Sequence, residues 1–209
     1  MFPCSVFAPG KIHLSGEHAV VYGYPALITT INLGLKIDFK PLSKNVSIKF
    51  DQYSEEISIN NLLNLFTTAN DLANSGRQKK DFSELFNLLK NRPYNFLKIM
   101  LGKLLSEMPV SGLALNIQSS LPLGAGLGSS AAFAVGLAAG WKNIFGESPC
   151  IEQINQSAFE LETLINGQVS GGDNAAISYG GLISFQKDES CSFKIKSITL
   201  ENNIFKNFV

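Results

Sequence analysis

The chain has no excess of charge of either sign. Seventeen Lys and Arg offset seventeen Asp and Glu over 209 residues, and no basic block appears. That excludes a protein that tracks a nucleic-acid backbone by long-range attraction, so any anion must be bound locally. Cysteine is scarce. Cys4, Cys150 and Cys191 are odd in number, widely spaced and form no C-x-x-C pair, which argues against a disulfide framework or a zinc site and fits a reducing compartment. The opening MFPCSVFAPGK lacks the basic region and apolar stretch of a secretory leader, so a cytoplasmic protein is expected. The longest apolar run, AAFAVGLAAGW at 131–141, is well short of the roughly 20 residues that span a bilayer, and no membrane association is expected. Internal repeats are also lacking. What is present is ample core material, 45% hydrophobic, enough for one domain over 1–209.

Residues 4–40 read as strands rich in Val, Ile, Thr and Leu, joined by a turn or short helix near Ala19–Tyr22. SIKF and EEISI flank the polar DQYS as a hairpin. The stretch 60–92, broken by NSGRQKKD, predicts two short helices. From Tyr94 to Met108 apolar residues recur with helical spacing, and GLALNIQSS (112–120) alternates as a half-buried strand. Helices are predicted from about Ser129 to Phe145 and Ile151 to Ile165. After VSGGD come a short helix NAAIS, a strand GGLISFQ and further strands KIKSITL and IFKNFV.

LPLGAGLGSSAA (121–132) places three glycines at alternate positions between a strand and an alanine-rich helix. Unpaired N–H groups at a helix start, with the positive end of the macrodipole, bind anions, and glycines let a ligand approach. Residues Gly124, Ala125, Gly126, Leu127, Gly128, Ser129 and Ser130 therefore form a candidate phosphate cradle. The pattern is neither a Walker loop nor the dinucleotide G-x-G-x-x-G. The alternative is a tight turn with Ser as N-cap.

On a wheel of about 100 degrees per residue, Ile154, Ala158, Leu161 and Ile165 share an arc and Glu162 falls at its centre, whereas Glu160 points away. A carboxylate on a buried face must be ion-paired, protonated or bound to a metal. Asp173, between VSGG and NAAIS, suits a first-turn or N-cap role. Lys11, after Pro-Gly, suits a solvated strand end.

Three stretches, FAPGKIHLSGEHAVVYG (7–23), PLGAGLGSSAA (122–132) and SGGDNAAISYGG (170–181), together resemble the motifs of mevalonate kinases in the GHMP small-molecule kinase superfamily. The GEHAVV run favours that branch over galactokinases and homoserine kinases. The resemblance is strong over 7–35 and 113–183 and weak over 40–110. It implies an α+β fold with a mixed sheet and a left-handed β-α-β crossover, and a C-terminal ferredoxin-like domain before which this chain stops. It also implies phosphorylation of the C5 hydroxyl of mevalonate by ATP in isoprenoid and sterol synthesis. Asp173 then matches the catalytic base and Lys11 the active-site cation that pairs with it and reaches the phosphates. Ser130 and Glu162 match Mg²⁺ ligands, Glu17 and His18 lie beside the mevalonate site, and the glycine loop holds ATP. Asn61 and Ser119 are further nucleotide candidates and Ser170 a substrate candidate. His13, where the family carries an aliphatic residue, is read as a local departure without a ligand role. A homodimer is left open, as are a non-catalytic nucleotide-binding remnant and a sister kinase such as phosphomevalonate kinase.

Overall fold

The computed structural model describes residues 1–122, 124–187 and 193–199. Two long strands, β1 (Cys4–Ser15) and β2 (Ala26–Pro41), run antiparallel and are joined through a 3-10 helix at Ala19–Tyr22. The hairpin β3 (Asn45–Phe50) and β4 (Tyr53–Ile57) leads into helices α1 (Ile59–Lys79), α2 (Ser83–Lys90) and α3 (Asn95–Glu107). Strand β5 (Gly112–Ser119) returns parallel to β3 and antiparallel to β2. Helices α4 (Ser129–Ile144), α5 (Ile151–Asn166) and α6 (Gly172–Tyr179) follow, then strands β6 (Leu182–Lys187) and β7 (Phe193–Ile198). The sheet is mixed, in the order β4-β3-β5-β2-β6-β7 with β1 also on β2. Because β1 lies along one edge of β2, its other edge is shared: β5 takes Leu35–Pro41 and β6 takes Ala26–Thr29.

Strand alternation sets the layers. Leu35, Ile37 and Phe39 of β2, Val46 and Ile48 of β3, and Leu113, Leu115 and Ile117 of β5 are all buried on one face. Lys36, Lys40, Lys49 and Gln118 on the other face are exposed, as a sheet covered by helices on one side requires. Seven of the 16 residues of helix α4 are Ala or Gly, and a Cβ at Gly140 would lie 2.0 Å from Phe39 Cε2, so its backbone approaches the sheet closely. A smaller apolar cluster gathers Val20, Ala26, Ile28, Ala175, Ala176, Ile183 and Phe185, apart from the main core.

Between Asn60 and Arg92 the structure departs from the expected pair of short helices. The first is 21 residues long and continues through the polar break to Lys79. Ser58 starts it by accepting the Asn61 N–H at 3.2 Å. Gly76 keeps it packed, because any side chain there would collide with Phe82. KIKSITL is a strand from Phe193 to Ile198, whereas IFKNFV lies outside the described residues.

Candidate functional site

A register shift between Pro9 and Gly10 interrupts β1. Before it Ala8 faces inward; after it Lys11 is buried and Ile12 exposed, and His13 follows on the Lys11 side. A bulge of this kind re-aims side chains, and here it turns Lys11 and His13 towards α6. The Lys11 ammonium lies 3.0 Å from Asp173 Oδ2. His13 Nε2 lies 2.9 Å from Asp173 Oδ1. A carboxylate can only accept, so Nε2 carries the donated proton.

Asp173 stands in the first turn of α6, whose N-cap is Gly171 with φ +87°. Its carboxylate caps nothing; it serves the Lys11 and His13 contacts instead. Burial would raise its pKa, but the His13 hydrogen bond and the Lys11 charge outweigh burial and hold it below the usual carboxylate value. Asp173 is therefore an ionised carboxylate with one third of its side chain still open to solvent.

Lys11 also ties this pair to the glycine loop. Its backbone N–H donates to Leu127 O at 2.9 Å, and a Cβ on Gly128 would fall 2.8 Å from Lys11 Cγ. Gly128, with φ +75°, is the N-cap of α4, so Ser129 is the first helical residue and not the cap that a bland turn would use. Gly124 and Gly126, both at φ +71°, face open space and with Ala125 are exposed. The left-handed conformation at three alternate positions explains why glycine recurs there. The outcome is an open loop of bare backbone ahead of a 16-residue helix, the geometry of an anion cradle.

Helix α5 begins with a capping box in which the Cys150 N–H donates to Gln153 Oε1 at 3.1 Å. That phase buries Ala158, Leu161, Leu164 and Ile165 together with Glu162, which is 5% exposed. Glu160 lies on the outer face with Gln156 and Lys103, as the wheel requires. Burial pushes the Glu162 pKa up to about 7; the neighbouring Ser130 hydroxyl and Lys11 oppose this and the Asp173 charge adds to it. Ser130 Oγ is itself buried and completes no hydrogen bond. An orphaned hydroxyl beside a carboxyl that resists ionisation is a pair of oxygens fit for a hard cation. Among the described residues no group of three or more His, Cys, Asp or Glu could hold a metal.

The remaining candidates scatter. Glu17 and His18 are exposed on the turn after β1, and His18 takes the N-cap position of the 3-10 helix without a side-chain bond. Ser170 Oγ accepts the Gly172 N–H at 3.3 Å and Ser119 Oγ the Leu121 N–H at 3.1 Å, so both shape the turns that lead into the site. Asn61 is exposed and lines a separate cavity of about 490 Å³ with Ser58, Arg92, Asn95 and Lys98; no contact among the described residues joins it to Lys11 or Asp173. The residue that sequence reasoning passed over is His13. Its two-residue spacing from Lys11 was the available signal, since such neighbours on a strand share a face.

Residues 94–181, which carry the loop, α4, α5 and Asp173, match the family described as GHMP kinases N terminal domain. Over those residues the chain is similar to the GHMP kinases. The mouse mevalonate kinase is 32% identical over 220 residues, covering 90% of this chain and 55% of that protein. A solved mevalonate kinase from Methanococcus jannaschii superposes with a TM-score of 0.74 at 23% identity, over 96% of this chain and 57% of the other. A Lactococcus lactis galactokinase complexed with galactose follows the same GHMP fold, with a TM-score of 0.68 at 18% identity, over 96% of this chain and 48% of its own. The chain spans about half the length of the curated relatives it matches. A solved mevalonate kinase and a solved galactokinase thus share this fold.

Proposed function

We propose that this chain is the nucleotide- and alcohol-binding part of a mevalonate kinase, transferring the γ-phosphoryl of ATP to the C5 hydroxyl of mevalonate. The observation that carries the reading is the Lys11–Asp173 pair, 3.0 Å apart, at the base of an open glycine loop. An alcohol is a weak nucleophile at neutral pH, and an ionised carboxylate within reach takes its proton as the oxygen attacks. Asp173 is that acceptor: the O–H bond breaks, a new O–P bond forms, and ADP leaves with the electrons of the broken P–O bond. Lys11 balances Asp173 before transfer and faces the spreading negative charge during it. The amides of Gly124–Ser130 hold the phosphates at the positive end of α4. Ser130 and Glu162 would hold Mg²⁺, which, when bound, neutralises phosphate charge and orients the transferring group. By the resemblance of their motifs, Glu17, His18 and Ser170 are assigned to the alcohol side and Ser119 to the nucleotide side.

The assay is purified chain with Mg-ATP and a panel of mevalonate, phosphomevalonate and galactose, coupled to ADP release. Turnover selective for mevalonate supports the reading. Turnover selective for another alcohol reassigns the substrate. Nucleotide binding without turnover on any of them marks a non-catalytic remnant.

A further inference from the structure

His13 is not needed to build the strand. It sits on β1 beside exposed Ile12 and Leu14, paired in register with Ile28, a position where any apolar residue would pack. Instead its side chain is nine-tenths buried, its Nε2 bonds Asp173 Oδ1, and its Nδ1 is buried with no partner. Burying an imidazole with one nitrogen unsatisfied costs stability that an apolar side chain at this position would not lose.

The carboxylate it grips is held at both oxygens, Oδ2 by Lys11 and Oδ1 by His13. With a single donor a carboxylate can rotate about its χ2 bond; with donors on each oxygen that rotation stops. Each oxygen keeps a free lone pair, and the open third of the Asp173 side chain gives those lone pairs access to an alcohol.

We infer that His13 is a positioning residue, a second clamp that works with Lys11 to fix Asp173 in the orientation and charge state in which it removes the substrate proton. This rests on the reading of Asp173 as the base. His13 touches no reacting atom; it acts through the carboxylate. The groups facing that carboxylate are His13 and Lys11 from β1, and its charge in turn reaches Glu162 of α5.

The test compares His13→Leu, which deletes the donor, with His13→Gln, which keeps an N–H at similar reach. His13→Leu is expected to lower kcat about tenfold or more with KM for the alcohol within about twofold. Its acid limb of kcat against pH should move up by about one to two pH units, the worth of a hydrogen bond to a charged group. His13→Gln should recover most of both. Equal losses in the two variants, or a loss confined to KM, would overturn the inference. A readout free of turnover separates it from the kinase reading: carboxyl ¹³C spectra of Asp-labelled protein should show Asp173 titrating higher in His13→Leu than in wild type. A shifted carboxyl with no phosphoryl transfer to any alcohol leaves the clamp standing and removes the kinase; transfer with an unmoved carboxyl does the reverse. Should the Leu variant not fold, ¹⁵N-histidine spectra of wild type decide. His13 must appear protonated at Nε2 and lose that hydrogen bond in Asp173→Ala, which removes the acceptor; an Nδ1-protonated ring sinks the proposal.

Discussion

Replacing Glu162 by Gln tests the central electrostatic claim without needing a substrate. Glu162 is buried at 5% exposure and its pKa is raised from the ordinary 4.5 to about 7. A carboxyl with a raised folded pKa holds its proton more tightly in the folded than in the unfolded chain. Its stabilisation is therefore intact at low pH and is lost as pH rises from the unfolded value through about 7. From pH 5 to pH 8 the loss comes to about 2–3 kcal/mol. Asp173, whose pKa is lowered, acts in the opposite sense and in a window at and below its ordinary 3.8, outside this range. Groups common to both proteins cancel in the difference. Urea unfolding at pH 5, 6, 7 and 8 should show Glu162→Gln gaining on wild type by that amount as pH rises. Magnesium chloride at pH 8 should narrow the gap by stabilising wild type and not the variant, because a cation between Ser130 and Glu162 binds the ionised carboxylate. Parallel stability curves, indifferent to magnesium, would refute both the burial argument and the cation site.

Asp173→Asn should abolish turnover while nucleotide affinity, followed by fluorescence titration, stays within about twofold, since the carboxylate serves the hydroxyl proton; near-normal rates would discard it as the base. Gly128→Ala should cost more stability and more Mg-ATP affinity than Gly124→Ala. Both meet about 1–2 kcal/mol of left-handed strain, but only at 128 does the new methyl strike Lys11; equal melting temperatures and affinities would contradict that packing. Glu55→Ala should lower stability by about 3 kcal/mol in urea, because it removes the carboxylate paired with Lys98, which is 3% exposed; a change below about 1 kcal/mol would mean that Tyr53 or water satisfies the ammonium.

The helical wheel separated Glu162 from Glu160 because α5 is amphipathic and one phase buries its aliphatic residues. The glycine loop was legible because left-handed backbone at Gly124, Gly126 and Gly128 leaves few residue choices. Strand β5 announced itself by alternation. The length of α1 was not legible, since Gly76 and the polar residues around it read as a breaker until Phe82 is seen packed on that glycine. His13 was missed for a different reason. Its partner is 160 residues away, and the bulge after Pro9 that turns both it and Lys11 inward leaves no mark in the local pattern.

The shared edge of β2 has a consequence for how activity would fail. Lys11, the glycine loop and Glu162 lie against the larger apolar body, whereas α6 bridges the two: Ile177 packs into the larger body and Ala175 and Ala176 into the smaller group around Ile28 and Phe185. Regions with fewer buried contacts open first under mild heat or denaturant. Loosening of the smaller group frees one side of α6 and lets the carboxylate of Asp173 shift from its two donors while the phosphate loop stays in place, so proton abstraction would disappear at a lower temperature than nucleotide retention.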